Sequence, residues 1–103
     1  MTYNPVRRSN ELRDNVLADA ETRAVYEATK LQIELALQLK EARIKQNMTQ
    51  EEVAMLLHTK TPAISRLEKG HESIKSFPSL LTLVKFASAI GYELKINLEP
   101  IKG

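Results

Sequence analysis

Cysteine is absent from the 103 residues, which excludes disulfides and thiolate metal sites. The two histidines, His58 and His71, stand in no ligand-spaced cluster of histidines or carboxylates, so a metal centre is not expected and no cofactor is implied. Glycine is scarce, with three residues in all, too few for a loop that cradles phosphates. Ser65 has nothing near it in sequence to activate it as a nucleophile, and the chain is not expected to be an enzyme. No apolar run approaches the roughly 20 residues that span a bilayer. The N-terminus is polar, with Arg7 and Arg8 leading into Asn10 and Glu11 where a signal peptide would have an apolar core. A cytoplasmic protein without membrane contacts is expected.

What is present suits one compact domain with tails: 43% of the residues are hydrophobic, enough for a single core at this length. The net charge of +2 says little about partners, but its distribution says more. Residues 40–76 carry Lys40, Arg43, Lys45, Lys60, Arg66, Lys69 and Lys75 against five glutamates, so the modest basic excess falls in the middle third.

Periodicity divides the chain into three parts. Residues 1–18, which include Pro5 and a run of mixed polar and charged types, show no sustained repeat and read as a flexible arm. From Asp19 the repeat becomes helical: Ala24, Ala28, Leu31, Leu35, Leu39 and Ala42 recur at helix spacing, which predicts a long helix over 20–46. Thr49 followed by Glu52 is a capping box and opens a short helix over 50–57. His58, Thr59 and Lys60 make a turn, Pro62 sits in the first turn of the next helix, and Gly70 ends that helix near Lys69. After a polar loop, residues 79–90 read as another amphipathic helix, with Leu80, Leu83, Val84, Ala87 and Ile90 inward and Gly91 as the stop. The helical domain thus spans 19–91, and residues 92–103 are a terminal segment of different character. There Leu94, Ile96 and Leu98 alternate with Glu93, Lys95, Asn97 and Glu99, the two-residue repeat of a half-buried strand. A lone strand has unmet backbone donors and acceptors. Pairing with the same strand of a second copy answers this, which makes Leu94, Ile96 and Leu98 the expected dimerisation residues; an extended tail on its own helices, or a strand added to a partner's sheet, are the alternatives.

The pair of short helices at 49–70 has what a helix-turn-helix needs. Val53, Ala54 and Leu57 face Ile64 and Leu67 as an apolar lock, the turn is tight, and Lys60, Thr61, Ser65, Arg66 and Lys69 occupy the outer face of the second helix. The run TQEEVAMLLHTKTPAISRLEKG, preceded by Arg43, resembles the XRE (lambda-repressor-like) family in Thr49, Gln50, Glu52, Ala54, Ile64, Ser65, Leu67, Glu68 and Gly70. The resemblance implies an all-α helix-turn-helix bundle, here with an N-terminal helical extension and one C-terminal strand. It implies that Gln50 holds a phosphate with Thr49 beside it among the DNA-binding residues, that Lys60, Thr61, Pro62, Ser65 and Arg66 face base edges or flanking backbone, and that Lys69 meets phosphate. Solvated charges at Lys60 and Lys69, and a purely capping Thr49, are the plainer readings. It further implies a structural ion pair between Arg43 and Glu68. His58 departs from the pattern, since many relatives have glycine there, and a positive φ would strain it.

Outside the motif, the stretch DAETRAVYEA at 19–28 and the ending KINLEP resemble HigA-type antitoxins, and the terminal strand is also similar to that of HipB-type antitoxins. That resemblance implies a repressor of its own operon that binds an inverted repeat in double-stranded DNA as a homodimer and neutralises a RelE/ParE-like toxin. Arg7, Arg8, Arg13, Val16, Leu17 and Tyr26 mix charge with apolar anchors and are the expected toxin contacts. A stand-alone repressor with no protein client is the main alternative.

Overall fold

The computed structural model describes residues 5–70, 73 and 76–101, and side chains among these from Asp19 onward. Four helices are present among the described residues: α1 (Pro5–Lys45), α2 (Gln50–Leu56), α3 (Thr61–Lys69) and α4 (Leu80–Ala89). Helix α1 has 41 residues, roughly 60 Å at the helical rise, and it gives the molecule its long dimension of 68 Å.

Helix α1 starts earlier than the residue 20 expected from the repeat. The helix instead runs from Pro5. Proline suits a first helical position, because its missing N–H has no partner there in any helix.

Local chemistry sets the other boundaries. Thr49 caps α2 reciprocally: its hydroxyl accepts from the Glu52 amide at 3.0 Å, and its own amide donates to Glu52 Oε1 at 2.9 Å. Ser79 caps α4 by accepting from the Thr82 amide at 3.3 Å. Three helices end in the same way, with a left-handed residue just past the last turn and two backbone bonds that tie off loose carbonyls. After α1 the left-handed residue is Asn47 (φ 56), with the Met48 amide donating to Arg43 O and the Asn47 amide to Ile44 O. After α2 it is His58 (φ 54), with Thr59 donating to Ala54 O and His58 to Met55 O. After α4 it is Gly91 (φ 80), with Tyr92 donating to Ala87 O and Gly91 to Ser88 O.

The core joins all four helices: Leu39 from α1, Val53 and Ala54 from α2, Ile64 and Leu67 from α3, and Leu83, Phe86, Ala87 and Ile90 around α4. Val53, Ile64, Phe86 and Ile90 are fully enclosed, each stabilising the fold by about 1.5–3 kcal/mol through burial. Two sequence expectations change here. On α4 the buried stripe is Leu83, Phe86, Ala87 and Ile90, while Leu80 and Val84 are exposed. On α1 Leu31 is exposed, and the buried positions are Gln32, Ala36, Leu39 and Arg43. Polar side chains hold two of those four positions because both have partners inside. Gln32 Nε2 donates to the Gly70 carbonyl at 3.2 Å, and Arg43 is paired as described below. Gly70 itself (φ 67) lies against α1, where a Cβ would come within 3.0 Å of Ala36 Cβ and Ile33 Cα.

Residues 92–101 hold neither helix nor strand, and no strand occurs among the described residues. The expected strand over this segment is therefore not formed within the single chain. A strand needs a ladder, and the described residues offer no second strand to build one. Leu94 packs on the core, whereas Ile96, Leu98 and Ile101 are exposed, Leu98 at 99%.

Candidate nucleic-acid interface

Helix α3 divides its side chains cleanly. Ile64, Leu67 and Glu68 are buried against α1 and α2. Pro62, Arg66 and Lys69 are exposed, with Thr61 and Ser65 half-buried beside them, so these five line one outer face at helical spacing. Lys60, exposed, precedes them as the N-cap residue and makes no side-chain cap bond, leaving its ammonium on the stem to solvent. Arg66 also borders a groove with Ala63, Leu67, Ser76 and Pro78.

The start of α2 meets the start of α3 across a second groove lined by Arg43, Ile44, Asn47, Met48, Thr49, Gln50, Glu51 and Thr61. The structure thus brings Thr49, Gln50 and Thr61 of the expected DNA contacts together at one end, and sets Ser65, Arg66 and Lys69 along the helix from there. Asn47 was not singled out from the sequence, although it lies in this groove. Its signal was present: asparagine two residues before a capping threonine is suited to the left-handed position that closes the previous helix.

Beneath this surface lies a charged network. Arg43 donates from Nε to Glu68 Oε2 at 2.6 Å and from Nη2 to Glu68 Oε1 at 3.1 Å, and from Nη1 to the Met48 carbonyl at 2.7 Å. Both side chains are nearly enclosed. Gln50 Nε2 donates to Glu68 Oε1 at 3.0 Å. The network ties the end of α1, the loop before α2, the first residue of α2 and the inner face of α3 into one unit. A fork-shaped guanidinium on a carboxylate satisfies both charges geometrically, which is what permits them below the surface.

A family model described as Helix-turn-helix matches residues 39–96, more than half of the chain, and takes in α2, α3, α4 and the last turns of α1. The chain belongs to the helix-turn-helix family, of the XRE type. It is a DNA-binding transcription regulator. No curated protein matches the chain. Among the described residues of this helix-turn-helix protein there is no grouping of His, Asp or Glu that could hold a metal ion, and no helix is long and apolar enough to cross a membrane.

Of the residues expected to contact a toxin, Arg7, Arg8, Arg13, Val16 and Leu17 lie outside those whose side chains are described. Tyr26 is 66% exposed on a part of α1 that precedes the family match.

Proposed function

We propose that this helix-turn-helix protein is the antitoxin and repressor of a toxin–antitoxin pair, without enzymatic activity of its own. The observation that carries the reading is the N-terminal course of α1. The body packs on α1 only from about Ala28 onward, yet the helix begins at Pro5, and residues 19–27 along it are all exposed, Val25 and Tyr26 among them. Such an extension offers exposed apolar and polar side chains to a protein client. The resemblance of DAETRAVYEA and KINLEP to HigA-type antitoxins gives the client a class, a RelE/ParE-like toxin.

On DNA, the protein acts as a homodimer held by the C-terminal segment 92–103 through Leu94, Ile96 and Leu98. Ile96 and Leu98 are exposed on a segment whose alternation suits a strand, and an antiparallel copy of itself supplies the missing ladder. Two copies of α3 then enter successive major grooves about 34 Å apart and read an inverted repeat. Lys60, Thr61, Pro62, Ser65 and Arg66 select bases, Arg66 by a two-pronged contact to guanine, and Thr49, Gln50 and Lys69 fix the register on phosphates. Bound at its own promoter the dimer excludes polymerase, and the cytoplasm is where this takes place.

Co-expression of the untagged protein with the product of the neighbouring gene tests the reading by size-exclusion chromatography with mass detection. A defined complex that also relieves growth inhibition by the neighbour is expected. Absence of both complex and toxicity would leave an autonomous repressor.

A further inference from the structure

Gln50 is long, unbranched and only half-buried, a side chain that ordinarily samples many rotamers in free protein and loses them when it grips a ligand. Here it is already held. Its Nε2 donates one hydrogen to Glu68 Oε1 at 3.0 Å, and a carboxamide with one N–H so engaged keeps a second N–H and a carbonyl oxygen for other use. The anchoring carboxylate would repel a phosphate if it stood alone. It does not, because Arg43 covers both of its oxygens at 2.6 and 3.1 Å. Arg43 is fixed in turn by its bond to the Met48 carbonyl at 2.7 Å, on the loop that leads into α2.

We propose that Glu68 is a positioning residue for DNA binding: it orients the Gln50 carboxamide before the duplex arrives, while Arg43 neutralises the charge that makes this possible. The inference rests on the reading of Gln50 as a DNA contact. It assigns to the Arg43–Glu68 pair a role beyond holding helices together. Glu68 also lies on the helix that reads bases, so the phosphate-side contact of α2 is set directly from the buried face of α3, and the two halves of the interface keep one register. Ordering the side chain in advance spares that loss on binding, worth roughly 3- to 10-fold in affinity for one rotamer-rich group.

Two measurements on the full chain test this. The first needs no substitution: side-chain nitrogen relaxation in DNA-free protein compares the Gln50 carboxamide with that of Gln38, which is exposed on α1. Gln50 is expected near the order parameter of rigid groups, about 0.85, and Gln38 below about 0.6. Equal mobility of the two overturns the proposal, and this arm decides the matter if substitutions at Glu68 prevent folding. The second is a double-mutant cycle with Glu68→Gln and Gln50→Met, read as the dissociation constant for a duplex selected from a randomised pool by the wild-type protein, with melting temperature followed in parallel. Glu68→Gln is expected to weaken binding roughly 3- to 10-fold when position 50 is glutamine and less than about twofold when it carries methionine. A purely structural Glu68 would lower melting temperature and affinity alike in both backgrounds, and that result overturns the positioning role while leaving Gln50 as a DNA contact. If the pool yields no duplex, or Gln50→Met binds as tightly as wild type, the DNA-contact reading fails and the proposal with it.

Discussion

Helix α1 is one continuous element with two unlike stretches. From Gln32 to Arg43 it repeatedly turns a residue into the body: Gln32 bonds Gly70, Ala36 lies under the same glycine, Leu39 enters the core, and Arg43 grips Glu68. From Asp19 to Leu31 only Ala28 is even half-buried, and Val25, Tyr26 and Leu31 are exposed. Both stretches are helical, so the backbone conformation does not distinguish them; what does is whether the side chains pack into the body. A helix of this length is stabilised by tertiary packing more than by propensity, and the packed stretch anchors the rest. The difference teaches that the body packs on α1 from about Ala28 onward, and that the stretch before it keeps its side chains exposed.

Substitutions should break this contrast in graded steps. The largest effect is expected in the packed stretch, where Arg43→Ala strands the Glu68 carboxylate below the surface and should cost about 3–5 kcal/mol in chemical denaturation. Gly70→Ala comes next. It forces a left-handed backbone on a residue with a side chain and drives that side chain against Ala36 and the α1 backbone, for a loss of about 2–4 kcal/mol. On the reading face, Arg66→Ala should weaken specific DNA binding by about 1–3 kcal/mol, with relaxed preference at one base position; equal loss on specific and random duplexes would deny it a reading role. His58→Gly should raise stability by about 1 kcal/mol, because His58 occupies the left-handed closing position after α2, which glycine takes without strain.

Much of the middle of the molecule was legible in the sequence because its signals are local. Thr49 with Glu52, Pro62, Gly70, Ser79 and Gly91 each act on the turn they occupy, and so the helix limits from 50 to 90 could be read within a residue or so. The start of α1 was not legible, since residues 5–18 lack a repeat that marks one face and the helix continues through them regardless. The inner face of α1 was misread at Leu31 because an apolar residue was favoured over Gln32, whose burial depends on a carbonyl 38 residues away. On α4, Leu80 and Val84 are as apolar as Leu83 and Phe86, and only the placement of the other helices decides which stripe is covered. The outer face of α3 was foreseeable from spacing, but the bond from Gln50 to Glu68 was not, because it depends on how two helices meet. The terminal alternation at 94–98 is plain in the sequence, yet among the described residues it forms no strand.

The division between a DNA-binding body and a helix kept for a partner is tested most directly by comparing the full chain with one that begins at Ala28. The account predicts that the shorter protein keeps its stability to within about 0.5 kcal/mol and its affinity for selected DNA, and no longer forms a complex with the neighbouring gene's product. Loss of folding or DNA binding in the shorter protein, or an undiminished complex, would contradict it.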